Sequence, residues 1–179
     1  MRNAQILIAG FGGQGILFAG KFLAYQALSE GRQLSWLPSY GPEMRGGTAN
    51  CNVILSDDPV GSPIITTPDV LIAMNLPSLQ KYVDTVAKGG QIYVDSSLID
   101  AKVERDDVEV FYIPATQLAK DNGIGTLANM IIIGHFLECN PNVSFDGIES
   151  VVDKLVPPKK AALKELNMKA LSIGKNYKN

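Results

Sequence analysis

A glycine-rich hexapeptide near the N-terminus is the first segment whose residue types could perform chemistry. Gly10, Gly12 and Gly15 stand at the first, third and sixth positions of the pattern that receives a dinucleotide pyrophosphate, and Phe11, Gly13 and Gln14 complete the segment. Glycines permit a tight turn and a close approach of the backbone, and the start of the following helix attracts anions. The pattern alone is weak, because a strand-to-helix turn without any ligand needs the same glycines.

A second loop supplies the remaining candidate residues. They are Tyr40, Gly41, Pro42, Glu43, Met44, Arg45, Gly46 and Gly47. The guanidinium of Arg45 could bind a phosphate or carboxylate in a bidentate manner, and it could equally pair with Glu43 at a subunit interface. Tyr40, Pro42 and Met44 add apolar surface to a loop that should be polar, which favours a contact site. Lys21 lies two turns into the first predicted helix, too far along to share its N-terminal donors directly.

A nicotinamide or flavin dinucleotide site also needs an acidic residue about 20 residues after the glycines, at the end of the second strand. Residues 33–38 contain neither Asp nor Glu. A stand-alone nucleotide-binding module is therefore the weaker interpretation, and it remains the alternative from a different functional class.

The other reactive side chains are few. His135 is the only histidine, and Cys51 and Cys139 are the only cysteines. An iron–sulfur cluster takes four cysteines and a zinc site several His or Cys ligands, so we expect no metal site on this chain. His135 lies in an apolar run and is expected to be a buried or interfacial, hydrogen-bonded residue. Both cysteines are expected to pack in the interior, and no catalytic residue is assigned.

Alternating periodicities define the elements that must position these residues. Strands are predicted at 5–9, 34–37, 48–56, 70–74, 91–95 and 108–113, and helices at 16–28, 76–87, 116–120, 127–137, 146–155 and 159–174. The order predicts an α/β fold, a three-layer α/β/α sandwich with a mostly parallel or mixed sheet and a Rossmann-like N-terminal βαβ unit. The strand at 48–56 follows a loop and not a helix, which favours a mixed sheet. Lys159, Lys160, Lys164 and Lys169 are expected to form a solvated helix face.

Composition excludes several classes of protein. The 179 residues include 16 basic and 18 acidic side chains, a net charge of −2 that provides no basic field for nucleic acid. No apolar run reaches about 18 residues and no signal peptide is recognisable, so we expect no membrane span and a cytoplasmic location. The length fits a single domain, 1–179. Charged residues make up 19%, a small proportion that hints at a surface partly covered by partners.

Taken together, the two glycine loops, residues 10–16 and 40–47, closely resemble the gamma subunit of 2-oxoacid:ferredoxin oxidoreductases. Either loop alone would not be specific. The likeness spans about residues 1–155 and includes shorter segments at 47–51, 74–75, 89–90, 95–97, 114–116 and 129–130. A chain of this length is similar to the separate gamma subunit of a multi-subunit enzyme, a domain that other members carry fused to a larger chain.

The resemblance implies a non-autonomous oxidoreductase subunit. The complete enzyme would oxidise pyruvate, 2-oxoglutarate or a branched-chain 2-oxoacid to acyl-CoA and reduce an external ferredoxin. Thiamine diphosphate with magnesium would lie between alpha and beta subunits, and 4Fe-4S clusters would lie on a ferredoxin-like delta subunit. The gamma chain would pack beside the active centre, and its two glycine loops are candidates for coenzyme A binding or for a subunit interface. Contacts between two copies of the chain also remain open.

The resemblance leaves the substrate undetermined. A small subunit of an indolepyruvate oxidoreductase shares the domain type, and the second loop does not distinguish it. Among 2-oxoacids, 2-oxoglutarate or a branched-chain acid is preferred over pyruvate, although the substrate pocket is expected to lie mostly on partner subunits.

Overall fold

The computed structural model describes residues 3–39 and 48–178, and the loop residues 40–47 lie outside them. Six strands and six α-helices occur in these ranges. The strands are β1 (Ala4–Phe11), β2 (Gln33–Ser39), β3 (Thr48–Ser56), β4 (Val70–Ala73), β5 (Gln91–Asp95) and β6 (Glu109–Ile113). The helices are α1 (Ile16–Ser29), α2 (Leu76–Tyr82), α3 (Ala115–Asp121), α4 (Ala128–Cys139), α5 (Ile148–Leu155) and α6 (Ala161–Asn176). Short 3₁₀ turns follow α2 at Val83–Thr85 and precede α6 at Pro158–Lys160.

The described strands form one mixed sheet in the order β2-β3-β1-β4-β5-β6. β1, β4, β5 and β6 run parallel, whereas β3 is antiparallel to both β1 and β2. The predicted mixed sheet is confirmed. The N-terminal βαβ unit differs from a Rossmann unit in one respect: β1 and β2 point the same way, but β3 lies between them.

The sheet is covered unequally on its two faces. The larger core packs α1, α3, α4, α5 and α6 against one face, while α2 and the segment 99–108 cover part of the other. This gives the predicted three-layer sandwich. β3 shows the predicted alternation, because Ala49, Cys51, Val53 and Leu55 are buried in the larger core while Asn50, Asn52 and Ile54 on the opposite side are half-buried.

Helix α4 is the central element of the larger core. Every residue from 128 to 137 is buried, as the nearly uncharged run predicted. α4 crosses α6 with their backbones in contact at Gly134 and Gly174. A Cβ on Gly174 would overlap the carbonyl oxygen of Ile131 and lie 2.8 Å from the backbone nitrogen of His135. A Cβ on Gly134 would overlap the backbone of Leu171.

Helix α2 is shorter than the periodicity predicted. It ends at Tyr82 and continues only as the 3₁₀ turn, not to residue 87. The guanidinium of Arg105 donates from Nη1 to the carbonyl oxygens of Val83 and Val86, at 2.8 Å each, and these bonds satisfy carbonyls that a continuing helix would use. Val86 is buried, so the chain turns inward at this point.

Three of the four lysines predicted to form a solvated helix face, Lys159, Lys160 and Lys169, are exposed. Lys164 forms an ion pair with Asp153 of α5, and Lys169 donates to the carbonyl oxygen of Asn122 at 2.9 Å. The predicted solvated face is therefore confirmed for Lys159, Lys160 and Lys169, whereas Lys164 is half-buried because α6 lies against α5. Across residues 3–39 and 48–178, none of the helices has the length and apolar character needed to cross a bilayer.

Replacing Gly174 by Ala should destabilise the fold strongly, although Ala is the better helix former. The added methyl meets backbone atoms that cannot rotate away, so the free energy of unfolding should fall by about 2 kcal/mol or more. Urea unfolding measures this difference. Gly125→Ala is the control, since a Cβ there has no neighbour within 4 Å, and it should change the free energy by no more than about 0.5 kcal/mol. Equal effects of the two substitutions would contradict the close crossing.

Candidate functional site

The glycine turn joins the end of β1 to the start of α1. Gly13 and Gly15 adopt positive φ angles of 92° and 73°, a conformation that favours glycine. Gly15 is the N-cap of α1, makes no side-chain capping bond, and no acidic residue occupies the first helical turn. The N-terminal N–H groups of α1 therefore have no capping side chain, which is the arrangement that attracts an anion.

The side chain of Gln14 lies across the gap between β1 and β4. Its Oε1 accepts a hydrogen bond from the Phe11 N–H at 2.6 Å, and its Nε2 donates to the carbonyl oxygen of Met74 at 2.9 Å. Gly10 makes this possible, because a Cβ there would lie 2.6 Å from Gln14 Oε1 and 3.1 Å from Met74 Cβ. Gly10 therefore leaves the space that the Gln14 carboxamide occupies.

This gap is the topological switch point of the sheet. α1 leaves β1 on the face of the larger core, and α2 leaves β4 on the opposite face. Ligands of open α/β sheets bind in such a crevice, at the carboxyl ends of the strands. Here the Gln14 carboxamide lies in the crevice and accepts from the N–H of Phe11. This geometry, together with the absence of an acidic residue from β2, weighs against a dinucleotide in the crevice.

Gly15 packs against α4 and not against the sheet. A Cβ on Gly15 would overlap the Asn129 side chain, whose Nδ2 donates to the Gly15 carbonyl oxygen at 3.0 Å. The close approach of helix to sheet occurs one turn later, at Gly20, where a Cβ would overlap the sulfur of Cys51. Burial raises the pKa of the Cys51 thiol to about 12, so it is a packing residue, as predicted.

The second predicted group, Tyr40 to Gly47, lies outside the described residues. The described residues that flank it are informative. Thr48 pairs with Phe11 at the end of β1, and Ser39 pairs with Asn50 near the start of β3. Both flanks therefore stand at the edge of the sheet that carries the glycine turn.

Two hollows meet at the glycine turn. One, of about 260 Å³, is bounded by the turn, the first turn of α1 and Ala49. The other, of about 340 Å³, lies between Gly15 and the α5–α6 connection, and Gly15 and Phe18 line both. A larger cavity of about 460 Å³ lies at the amino ends of β1, β4, β5 and β6. Because open α/β sheets bind ligands at the carboxyl ends of their strands, the glycine turn is the better candidate site.

The 95–97 and 114–116 segments meet at this same edge of the sheet. Asp95 at the end of β5 is fully buried, and its carboxylate accepts from the Thr116 hydroxyl at 2.5 Å and from the Ser97 N–H at 3.1 Å. Its Oδ1 also accepts from the Thr116 N–H at the start of α3. These hydrogen bonds hold the start of α3 at the end of β5, so the two segments have a structural role here.

His135 lies toward the other end of α4. Its Nδ1 donates to the Gly174 carbonyl oxygen at 3.2 Å, and its Nε2 lies 3.5 Å from the Cys139 sulfur. The imidazole is buried and makes edge contacts with Phe111 and Tyr177. Burial lowers its pKa below the usual value near 6.5, so the ring is neutral at pH 7. The predicted hydrogen-bonded, buried histidine is confirmed.

Sequence reasoning missed Asn129 and Asn167 as site residues. Asn129 was noted only as part of the segment 129–130, which resembles the family. Asn167 lies in an amphipathic helix, where a single polar residue on the buried face does not by itself indicate a site. Both are buried and line the 340 Å³ cleft. In the ranges 3–39 and 48–178, no group of three or more His, Cys, Asp or Glu side chains could hold a metal ion.

The fold and the site define a class of α/β domain with a mixed sheet. The Gln14 side chain fills the crevice at the switch point. Open, mainly apolar hollows lie at the carboxyl edge of the sheet. The chain belongs to the pyruvate ferredoxin/flavodoxin oxidoreductase family, whose family model matches residues 5–177.

Individual relatives agree with the family. The 2-oxoglutarate synthase subunit KorC of Methanothermobacter thermautotrophicus is 36% identical over 178 residues, covering 96% of this chain and 93% of KorC. The ketoisovalerate oxidoreductase subunit VorA of Methanothermobacter marburgensis is 45% identical over 133 residues, 74% of this chain, and the match spans only 28% of VorA. The crystal structure of a keto/oxoacid ferredoxin oxidoreductase gamma subunit from Geobacter sulfurreducens superimposes with a TM-score of 0.80 at 32% identity, covering 96% and 95% of the two chains.

Gln14→Ala should open the glycine turn without unfolding the protein. Loss of the carboxamide frees the Phe11 N–H, so its hydrogen exchange should accelerate roughly tenfold, in line with the loss of one intramolecular bond. Amide exchange followed by NMR measures this rate. Gln117→Ala removes an exposed glutamine that pairs with Asp121, and it should leave Phe11 exchange unchanged. An unchanged Phe11 rate in Gln14→Ala would contradict the bridge.

Stability should fall as the pH drops below about 6.5, because the unfolded chain then binds a proton at His135 that the folded state resists. The loss should reach at most about 1.4 kcal/mol per pH unit and should stop below the lowered folded-state pKa. Urea unfolding at pH 7.5 and 5.5 measures it. In His135→Phe the difference between the two pH values should shrink, since the sequence has no other histidine. An unchanged difference would show that other groups titrate.

Proposed function

We propose that this chain is the gamma subunit of a multi-subunit 2-oxoacid:ferredoxin oxidoreductase. The observation that carries the proposal is the end-to-end match to gamma-type chains, with KorC covered over 93% of its length and the Geobacter gamma subunit over 95%. The bridge made by Gln14 supports this reading over a stand-alone nucleotide-binding module. The relatives named for 2-oxoglutarate and ketoisovalerate support it over an indolepyruvate subunit.

The reaction of the proposed complex balances as a two-electron oxidation. A 2-oxoacid, coenzyme A and two oxidised ferredoxins give acyl-CoA, carbon dioxide and two reduced ferredoxins, with release of a proton. The bond between the carboxylate and the carbonyl carbon breaks, and a thioester bond to the coenzyme A sulfur forms. Thiamine diphosphate with magnesium would stabilise the carbanion left by decarboxylation, and 4Fe-4S clusters would carry the electrons.

The residues of this chain do not fit those redox groups. A 4Fe-4S cluster takes four cysteine ligands, and the sequence has two. Cys51 is buried beneath Gly20, and Cys139 contacts His135 on another part of the fold. We therefore assign the clusters and the reacting atoms to alpha, beta and ferredoxin-like delta partners, with an external ferredoxin as the final acceptor.

The contribution of this chain would come from the carboxyl edge of its sheet. Phe11 is 42% exposed there, and α1 presents an uncapped N-terminus beside it. An exposed aromatic side chain beside free N–H donors suits a partner surface or an anionic co-substrate. In this proposal the glycine turn, residues 10–15, and the loop 40–47 face coenzyme A or a neighbouring subunit, and Arg45 supplies the cation.

The substrate of the complex is proposed to be 2-oxoglutarate or a branched-chain 2-oxoacid, in line with the names of KorC and VorA. The chain would act as a single domain in the cytoplasm. The fusion of this domain into the longer VorA supports close packing against other domains, since the match spans 28% of that protein.

Co-expression with the thiamine-binding and ferredoxin-like subunits tests the proposal. The purified complex should contain this chain and should reduce ferredoxin only when a 2-oxoacid and coenzyme A are both present. The isolated chain should show no turnover, because the sequence lacks ligands for the electron carriers. The matched control is the same complex assembled without this chain, which should lose most of its activity. Full activity without it, or turnover by the isolated chain, would overturn the assignment.

A further inference from the structure

The outer strand β2 leaves one edge of the sheet unpaired. Among the described strands, β2 has β3 on one side and no neighbour on the other. Natural proteins protect such an edge with charged side chains, bulges or proline, because its free N–H and C=O groups can pair with another strand. The strand at the opposite edge, β6, begins with the exposed Glu109. By contrast, β2 has no charged residue, and its one proline, Pro38, stands near its end.

The hydrogen-bonding pattern of the sheet shows which backbone groups of β2 face the free edge. The carbonyl oxygens of Gln5 and Ala9 accept from the residues that flank β4, so the odd-numbered residues of β1 bond toward β4 and the even-numbered ones toward β3. The register then directs the odd-numbered residues of β3 to β1 and the even-numbered ones to β2. In β2 the odd-numbered residues bond to β3, so Leu34, Trp36 and Pro38 face the free edge. A proline whose nitrogen faces outward is the arrangement that edge strands tolerate.

This edge is complementary to a second copy of itself. A two-fold axis reverses the direction of a strand, so two β2 strands meet antiparallel. In the register centred on Ser35, Leu34 of each copy lies opposite Trp36 of the other, and each of their edge N–H groups has a carbonyl oxygen to donate to. Pro38, which lacks an N–H, lies outside these pairs. Because β2 carries no charge, no like charges meet between the two strands.

Helix α1, which lies over β2 and β3, adds an apolar stripe beside this edge. Gln26 donates to carbonyl oxygens of the segment 144–146, which marks the side of α1 that faces the rest of the larger core. At about 100° per residue, Leu17, Lys21 and Leu28 lie roughly opposite Gln26, on the side nearest the β2 edge. Leu28 is 59% exposed, and Lys21 is the only charged residue of α1. An exposed apolar stripe beside an unpaired strand favours a contact surface.

The size of this side of the molecule suits a reversible dimer. The side is about 23 Å long, the length of the seven residues of β2, and about 20 Å high across the strand and the helix. Two copies would bury roughly 500 Å² each, or roughly 1,000 Å² together, the lower limit for a specific interface. Such a dimer should dissociate on dilution.

We infer that two copies of this chain associate through β2, which joins their sheets into one. The two α1 helices then pack side by side across the two-fold axis, with Leu28 of one copy facing the N-terminal half of the other helix, where Leu17 lies. This interface goes beyond the proposed function and does not rest on it.

Sedimentation equilibrium of the full chain, from low micromolar to submillimolar concentration, tests the inference. The average mass should rise from that of a monomer to that of a dimer and stop there, since a two-fold interface is used up in the pair. A monomer throughout the range would overturn the inference. Open-ended growth beyond the dimer would also overturn it, because a closed pair has no free edge at β2.

Amide hydrogen exchange by NMR at the two ends of this range locates the interface. The amides of Leu34 and Trp36 should exchange at least roughly tenfold more slowly at the high concentration, because pairing gives each of them an acceptor. The amides of Ser35 and Leu37 serve as internal controls, since they bond to β3 in the monomer and should change little. A dimer in which Leu34 and Trp36 exchange as fast as in the monomer would contradict pairing through β2.

Leu28→Lys tests the part played by α1. In the dimer it places a second cation near Lys21 and buries it against apolar side chains, so dimerisation should weaken at least roughly tenfold. Leu98→Lys is the matched control, because Leu98 is 48% exposed and lies after β5, away from β2. Equal dimer dissociation constants for the two variants would contradict the side-by-side packing of α1.

This inference and the proposed function fail separately. A chain that joins the complex but stays monomeric when alone keeps its subunit role and loses this interface. A chain that dimerises but does not join the complex keeps the interface and loses the subunit role.

Discussion

The close crossing of α4 and α6 is the contact on which the rest of the structure depends. Gly134 and Gly174 let the two helix backbones touch, and α4 is thereby pressed into the larger core with all of its circumference buried. In this position Asn129 donates a hydrogen bond to the Gly15 carbonyl oxygen in the glycine turn, and His135 donates one to the Gly174 carbonyl oxygen. Because a closely packed core tolerates little displacement, a larger distance between α4 and α6 would disturb the contacts of both Asn129 and His135.

The glycine turn shows how one sequence pattern can serve different chemistry. In a dinucleotide site, the glycines let the backbone approach a pyrophosphate. Here Gly10 makes room for Gln14, whose carboxamide spans the crevice and takes the Phe11 N–H for itself. Gly15 makes room for Asn129. What remains open is the start of α1, which has no capping side chain, and the two hollows beside it.

The distribution of chemistry agrees with a non-autonomous subunit. Cys51 is a buried packing residue with a raised pKa, and His135 is a buried, neutral ring bound to a backbone carbonyl. The reactive side chains of this chain are thus used for packing, while its open features gather at one edge of the sheet. This arrangement agrees with the proposal that the domain completes a larger enzyme.

The sequence by itself determined the alternation of elements, the mixed sheet, the buried α4 and the family, because these follow from hydrophobic periodicity and from short local motifs. It did not determine the end of α2, where Arg105 binds carbonyls some 20 residues earlier. It also did not determine the insertion of β3 between β1 and β2, or the cleft formed by Asn129 and Asn167. Those features depend on contacts between residues far apart in the chain, which local patterns cannot specify. Only the tertiary structure decided that Gln14 closes the switch point and that the cleft beside it stays open.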